Sequence, residues 1–291
     1  ISNLYSSEED LNKSNFYSNL SYYLNPKFKF NLALIVENYY LNNQYEKVKK
    51  IIKNFDKDNQ FYYWFRTKKE AQMIIKEKGE DSGIDFISSK FNKIEKPNLK
   101  IIFDIANFYK NSKKYEKAVD HFSQIISMLP EDSEIRSEIL YRRGSSYERL
   151  NDFEKSDKDF INALNINPND AYVLNYLAYS WLERDYKTDK AMEMLRKAYS
   201  MKNDDPYIID SIGWAYYLTE NYTEAEKYLK RAIELMPDDP VVNDHYGDIL
   251  WKLNRKLQAR YFWNNVLGFD DSDEDTRKKI NDKLIEGLKN F

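Results

Sequence analysis

The fold is decided by residues 206–239, PYIIDSIGWAYYLTENYTEAEKYLKRAIELMPDD, which read as two helices joined by a short turn. Gly213 and Ala225 stand at positions 8 and 20 of this stretch, one in each helix, and their small size lets the two helices approach closely. Ala232, at position 27, leaves room for a following helix. Pro237 ends the second helix, because proline lacks an amide hydrogen and restricts the residue before it. The stretch therefore predicts a helix–turn–helix unit.

The same spacing recurs along the chain, and this recurrence distinguishes a repeat from a chance match. Units start at residues 29, 64, 99, 137, 171, 206 and 240. The other units from residue 99 onward also carry small residues at positions 8 and 20, with the second one place later in the unit at 171: Ala106 and Ala118, Gly144 and Ser156, Ala178 and Ala191, Gly247 and Ala259. The units at 29 and 64 are divergent, and the first has Val36 and Val48 at these positions. The recurrence predicts an all-α protein.

This pattern of small residues, with an aromatic residue at position 11 and a closing proline, resembles the tetratricopeptide repeat (TPR). The resemblance implies a right-handed α-solenoid of helix–turn–helix repeats, whose first helices line a concave face. In residues 171–267, the strings LNYLAYSWLER, DPYIIDSIGWAYYL and DPVVNDHYGDILWKLNRKLQARYFW look like the C-terminal repeats of large proteobacterial TPR proteins. That resemblance implies a bacterial protein in the periplasm or at the outer membrane, with a cytoplasmic location left open.

The predicted organisation is one continuous solenoid. Residues 1–28 read as the second helix of a truncated repeat, 29–98 as two divergent TPRs, and 99–273 as five TPRs. Because the sequence starts at Ile1 and within a repeat, we expect upstream sequence to be missing.

Three details depart from strict repetition. Four extra residues, 133–136, are expected to lengthen a first helix by about one turn. One extra residue falls in the turn near 186–189. Residues 274–291 are predicted to form a C-terminal capping helix that covers the last repeat with one apolar stripe. That stripe consists of Ile280, Leu284, Ile285 and Leu288.

Composition and charge fit a folded helical protein. Aromatic residues make up 16% of the chain, more than disordered segments carry. The 7 Gly and 7 Pro leave little room for sheets with tight turns. With 45 basic and 48 acidic residues the net charge is -3, so we expect no nucleic-acid partner. No apolar run is long enough for direct membrane insertion, and the absence of cysteine excludes disulfides.

The resemblance implies that a protein or peptide partner lies along the first helices, at the second, fifth, sixth, ninth, twelfth and thirteenth positions of each unit. The candidate groove residues are Asn175, Tyr176, Tyr179, Asp210, Trp214, Tyr217, Asp244, His245, Asp248 and Trp251. Rings offer contact area, while amides and carboxylates orient a peptide backbone. The alternative is that several of these rings pack between helices. The three aspartates predict an acidic groove end that favours a neutral or basic ligand.

Catalytic chemistry has little support. His121 falls on a second helix, where packing or solvent exposure is expected. His245 stands beside Asp244 and one turn from Asp248, which suits hydrogen bonding in the groove better than a metal site. No Gly-rich phosphate loop, HExxH or nucleophile elbow is present. We therefore expect no enzyme activity and no cofactor, and we interpret the basic run 277–283 as a solvent-exposed face.

The favoured function is a non-enzymatic interaction scaffold that binds a partner segment in the groove, in the setting of bacterial envelope assembly and of a larger complex. One alternative is a structural spacer or assembly subunit that uses its convex face or its ends. Another is an accessory domain of a longer enzyme. The partner cannot be named from the sequence, because a repeat scaffold specifies shape and leaves recognition to variable surface residues.

Overall fold

The computed structural model describes residues 10–55 and 59–288, and within them all regular structure is helical. The chain forms two compact units, residues 1–128 and 129–291. None of the described helices is long and apolar enough to cross a bilayer. Residues 1–9, the start of the predicted truncated repeat, lie outside the described residues. The expectation of one continuous solenoid stays a prediction.

The first unit is a series of paired helices. Helices α1 to α7 are Leu11–Leu24, Phe30–Leu41, Tyr45–Ile51, Gln60–Lys78, Glu80–Phe91, Leu99–Asn111 and Tyr115–Met128. Helix α2 packs on α3, α4 on α5, and α6 on α7, and a 3-10 turn, Ile52–Asn54, continues α3. Helix α1 packs on α2, where Asn38 Nδ2 donates to the buried Ser14 Oγ at 2.8 Å.

The second unit repeats this pairing with more regular lengths. Helices α8 to α16 are Glu134–Arg149, Phe153–Ile166, Ala171–Glu183, Thr188–Met201, Pro206–Leu218, Tyr222–Leu235, Pro240–Lys252, Lys256–Val266 and Glu274–Glu286. The first helices of its pairs are α8, α10, α12 and α14, and α10 packs on α12 and α12 on α14. Helix α16 packs on α15. Helix α8 begins at Glu134, which confirms the predicted lengthening by residues 133–136.

Aspartates start the three first helices α10, α12 and α14. The carboxylates of Asp170, Asp205 and Asp239 each accept hydrogen bonds from two backbone amides of the first turn. Such N-caps satisfy amides that would otherwise lack partners. Pro206 and Pro240 follow at the first helical position, where a missing amide hydrogen costs nothing.

The turns within most helix pairs share one backbone geometry. The middle residue of each three-residue turn has a left-handed φ in five cases: Asn43, Lys113, Asn151, Glu220 and Asn254. The next amide then closes the turn, as Asn221 N does on Tyr216 O at 2.9 Å. The turn after α10 has two left-handed residues, Asp185 and Lys187, and its greater length confirms the predicted extra residue.

Small residues stand where the helices of a pair cross. A Cβ atom on Gly213 would lie 2.8 Å from Leu229 Cγ, and one on Gly247 would lie 2.4 Å from Trp263 Cδ1. Ala225 and Ala259, on the second helices of the same pairs, are fully buried. The repeat spacing thus reflects close helix contact.

The capping helix differs from its prediction on one side. Ile280 is fully buried, and Leu284 and Leu288 pack against the same core as predicted. Ile285, however, is 77% exposed, and Lys283 is buried in its place. The predicted stripe was wrong at Ile285 because Lys283 finds two carboxylates on α14, which offset the cost of burying its charge.

Candidate functional site

Three successive first helices expose a large apolar side chain at the second position of their repeats. The exposed fractions are 48% for Tyr172 on α10, 58% for Tyr207 on α12 and 52% for Val241 on α14. The same position holds Lys100 in the unit at 99 and Glu138 in the unit at 137. Tyr172, Tyr207 and Val241, here called the apolar row, therefore distinguish α10, α12 and α14 from the two repeats that precede them.

The predicted groove residues on α10 are half-buried. The ring centroid of Tyr176 lies 5.2 Å from that of Phe160, and its hydroxyl donates to Glu148 Oε2 at 3.2 Å. Burial, reinforced by nearby carboxylates, raises the pKa of both Tyr176 and Tyr179, so both hydroxyls stay protonated. The Oδ1 atom of Asn175 has no hydrogen-bond partner among the described residues.

A stack of rings forms the centre of the predicted groove. His245 lies on Trp214 with ring centroids 4.0 Å apart, and Trp214 lies on Tyr217 at 4.5 Å, with near-parallel planes in both cases. The indole N–H of Trp214 donates to Glu183 Oε1 at 2.6 Å. The ring of Tyr179 lies 6.5 Å from His245. Side chains of α10, α12 and α14 therefore meet around His245.

His245 also forms a hydrogen bond across neighbouring first helices. Its Nδ1 atom lies 2.8 Å from Oδ2 of the buried Asp210. Burial alone would lower the pKa of His245, but Asp210, followed by Asp244 and Asp248, outweighs burial and raises that pKa. The other carboxylate oxygen, Asp210 Oδ1, has no partner among the described residues.

The other two predicted aspartates bind lysines of the capping helix. Lys283 Nζ donates to the two carboxylate oxygens of Asp248 at 2.7 and 2.8 Å, and it also donates to Asp244. Lys279 Nζ lies 3.3 Å from Asp244 Oδ2. The prediction that the three aspartates make an acidic groove end is therefore wrong for Asp244 and Asp248, because α16 supplies matching positive charge. The interpretation of this basic run as a solvent-exposed face is wrong at Lys283 for the same reason.

The two carboxyl groups respond differently to this environment. Burial would raise the pKa of Asp244, but Lys283 and Lys279 outweigh it and lower that pKa. Burial and the neighbouring Asp244 raise the pKa of Asp248, against the opposing effect of Lys283. The indole N–H of Trp263 donates to Asp248 Oδ1 at 2.9 Å.

Helix α16 is anchored at both ends. Arg277 donates to the carbonyls of Leu267, Phe269 and Ser272 in the preceding loop. At the other end, a Cβ atom on Gly287 would lie 2.1 Å from Trp251 Cζ2. Trp251, predicted to line the groove, is thus in close contact with the end of the capping helix.

A cleft of about 590 Å³ lies between the ring stack and the capping helix. Trp214, Tyr217 and Tyr222 line one side, while Asp282 and Glu286 of α16 line the other. Sequence reasoning missed the two acidic residues, because their place depends on how α16 folds back over α14. Their spacing of four residues, which puts both on one face of a helix, was the available signal.

His121 has the packing role that was expected. Its ring centroid lies 5.0 Å from that of Phe91 and 5.5 Å from that of Tyr109. Burial lowers the pKa of His121.

Paired helices, a shared turn geometry and small residues at the crossings define a helical-repeat protein. Family models of the tetratricopeptide repeat match residues 99–132, 137–170 and 206–239. These residues thus form tetratricopeptide repeats, and the predicted all-α solenoid fold is confirmed. This fold is consistent with a protein-interaction scaffold, and TPR proteins are generally non-catalytic.

Similar proteins agree with this assignment. A TPR repeat-containing protein of Pseudomonas aeruginosa is 33% identical over 138 residues, which cover 47% of this chain and 22% of that protein. The chain thus spans less than a quarter of that relative. A TPR protein from Parabacteroides merdae has a TM-score of 0.58 at 15% identity and covers 96% of this chain and 94% of its own. A thermophilic TPR protein from Thermus thermophilus has a TM-score of 0.56 at 18% identity, over 65% of this chain and 100% of its own. At these identities the two structures show the fold alone.

Proposed function

We propose that this chain is a non-enzymatic scaffold that binds a segment of a partner protein along α10, α12 and α14. The observation that carries the proposal is the apolar row, three large side chains about half exposed at one position of three consecutive repeats. Apolar side chains of this size, presented side by side along a helical array, offer contact area to a partner. The row has no counterpart in the units at 99 and 137.

Half-buried polar groups next to the row support the same function. The Asn175 amide and the tyrosine hydroxyls of α10 can exchange hydrogen bonds with a peptide backbone, which carries one donor and one acceptor per residue. In this proposal Asn175, Tyr176 and Tyr179 face the ligand. The binding roles of Trp214 and Tyr217, which also line the neighbouring cleft, stay predictions.

The remaining predicted residues support the shape of the site. Asp210 and His245 join α12 to α14, and Asp244 and Asp248 join α14 to α16. We infer that these groups hold the first helices and the capping helix in place, with Trp251 packed beneath the end of the cap. These residues would then affect partner binding only by holding the helices in position.

The test replaces two members of the apolar row, in a Tyr172→Ser and Tyr207→Ser double variant. The matched control is Leu257→Ser with Tyr261→Ser, on α15, where the side chains are 87% and 64% exposed. Peptides selected from a random display library on the whole chain serve as probes, and fluorescence anisotropy measures their affinity. We expect affinity to fall by about tenfold or more in the row variant and to be unchanged in the control. Equal affinities in the two variants, with unchanged circular dichroism, would remove the proposal.

A second candidate, assembly through the first unit, is favoured by the exposed apolar face of α1. Phe16, Leu20, Tyr23 and Leu24 follow helical spacing and are 45–82% exposed. Such a stripe is typical of a helix that packs against another protein. If the chain self-associates through α1, Phe16→Ser with Leu24→Ser should abolish any concentration dependence of the sedimentation coefficient.

We extend the proposal to assembly in a bacterial envelope. The envelope setting is supported by the resemblance of residues 171–267 to proteobacterial TPR proteins, and the identity with the Pseudomonas aeruginosa protein supports only the bacterial origin. Fractionation of cells that express the full gene with an epitope tag tests it, and a purely cytoplasmic product would contradict it.

A further inference from the structure

We propose that the cleft between the ring stack and the capping helix binds an arginine side chain of the partner segment. The inference rests on the proposed function and adds the chemistry of one anchor residue. The cleft has a volume of about 590 Å³, in the range of small-ligand sites, and its lining combines aromatic rings with carboxylates.

One wall of the cleft is aromatic. Tyr217 stacks on Trp214, and the Tyr222 ring centroid lies 5.9 Å from that of Tyr217. Near the cleft, Lys256 and Arg260 lie over the ring of Trp251. In residues 10–55 and 59–288, no lysine or arginine lies over the rings of Trp214, Tyr217 or Tyr222. Trp214 already stacks on both His245 and Tyr217, so Tyr217 and Tyr222 are the rings of the cleft on which a cation from a partner gains a cation–π contact.

The charges around the cleft select a cation over an anion. Lys279 and Lys283 are paired with Asp244 and Asp248, so these four groups nearly cancel. Apart from Glu286, which also interacts with another group, the remaining charged lining residues are two carboxylates and one ammonium group: Glu220, Asp282 and Lys252. An anionic ligand would meet net repulsion there, and a basic side chain net attraction.

An arginine side chain suits a cleft lined by rings and carboxylates better than a lysine side chain does. Asp282 and Glu286 are four residues apart on α16 and line the cleft together. A planar guanidinium can stack on a ring while its N–H groups reach carboxylates on the other side, which a compact ammonium cannot do in one pose. Leu218, which lines the cleft and is 40% exposed, offers a surface for the methylene groups of the arginine side chain.

The experiment follows the indole N–H signal of Trp214 by ¹H–¹⁵N NMR in the whole chain. The chain has 5 Trp, and Trp214→Phe identifies the signal. The probe is the capped tripeptide acetyl-Gly-Arg-Gly-amide, compared with versions that carry citrulline, lysine, leucine or glutamate in the centre. Citrulline keeps the shape of arginine and removes its charge.

We expect the arginine peptide to shift the Trp214 signal at the lowest concentration of the series. In the Asp282→Asn and Glu286→Gln double variant its dissociation constant should rise about fivefold, equivalent to about 1 kcal/mol. The matched control, Glu274→Gln with Asp275→Asn, removes the same charge from an exposed part of α16 and should bind as the wild type does. Unchanged indole signals from the other tryptophans show that the variant is folded.

Three results would overturn the inference. Equal affinity for arginine and citrulline would remove the role of charge, and tighter binding of leucine would make the cleft an apolar pocket. Tighter binding of glutamate would make it an anion site. If display-selected peptides still require Tyr172 and Tyr207 in any of these cases, the proposed function survives while the arginine anchor fails. If those peptides no longer depend on the apolar row but the Trp214 signal still responds to the arginine peptide, the arginine site survives while the proposed function fails.

Discussion

Gly247 shows how little room a helix crossing leaves at the scale of one residue. A Cβ atom there would lie 2.4 Å from both Cδ1 and Nε1 of Trp263, an indole that donates to Asp248. We expect Gly247→Ala to lower the free energy of unfolding by about 1–3 kcal/mol. Gly268→Ala is the control, since its nearest contact would be Asn265 O at 3.4 Å, and it should change stability by less than about 0.5 kcal/mol. Urea unfolding measures both, and equal losses would contradict the close approach.

The 2 histidines allow a direct test of the electrostatics of the site. Burial lowers the pKa of His121, while the carboxylates around His245 outweigh burial and raise its pKa. In a ¹H–¹³C NMR titration, the two imidazole signals should therefore titrate on opposite sides of 6.5, the ordinary value. The His121→Gln variant assigns the signals. Two curves with the same midpoint would contradict the Asp210–His245 ion pair.

The raised pKa of His245 also has a defined effect on stability. The folded state holds this proton more tightly than the unfolded state, so the pairing contributes fully below pH 6.5. The contribution is lost as the pH rises through the pKa of the folded state. The stability advantage of the wild type over His245→Gln, measured by urea unfolding across this range, should therefore shrink as the pH increases.

At the residue scale, the sequence predicted positions better than partners. Asp210, Asp244 and Asp248 were assigned to the inner face of the first helices; the structure pairs Asp210 with His245, and it pairs Asp244 and Asp248 with Lys283. Their neutralisation could not be predicted, because Lys283 lies 39 residues beyond Asp244 and outside the repeat pattern. Carboxylates that face inward in a repeat indicate either a ligand or a partner side chain within the chain.

At the scale of single elements, the capping helix depends on one buried lysine. Lys283→Ala would leave the buried Asp244 and Asp248 without their main positive partner, so we expect a loss of about 3–5 kcal/mol in the stability of the second unit. Lys278→Ala, at an exposed position of the same helix, is the control and should cost less than about 0.5 kcal/mol. Unfolding followed by tryptophan fluorescence measures the difference.

Two outcomes of that experiment are informative. A Lys283→Ala loss no larger than that of the control would mean that the carboxylates readily take up protons or water, contrary to the proposed pairing. If Lys283→Ala is destabilising, adding Asp248→Asn should recover part of the loss, because one uncompensated charge is then removed.

Element boundaries were predictable because their signals are local. Asp205 followed by Pro206 marks the start of α12, and the four residues 133–136 account for the longer α8. The side of α16 that faces the core was less predictable, since hydropathy favoured Ile285 over Lys283. A tertiary charge pair overrode that preference, which no periodicity within the helix could indicate.

At the scale of the whole molecule, the fold was predictable because the repeats from residue 99 onward carry the same short-range signals in about 34 residues. The site was only partly predictable, because it joins α10, α12 and α14 to a helix that is not a repeat. The cleft with Asp282 and Glu286 exists only through that junction. Function in such an array therefore depends most on the residues that depart from the repeat.

The repeats also predict an uneven distribution of stability along the chain. In a repeat protein each unit is stabilised by its own packing and by its neighbours, so a divergent unit opens more readily. Helix α3 has 7 residues and continues as a 3-10 turn, whereas α13 has 14 residues. We expect amides of residues 29–97 to exchange at least about tenfold faster than those of 171–239 in hydrogen-exchange mass spectrometry, after correction for intrinsic rates. Slower exchange in 29–97 would show that the aromatic packing around Phe55 and Tyr62 stabilises this region more than the short helix α3 destabilises it.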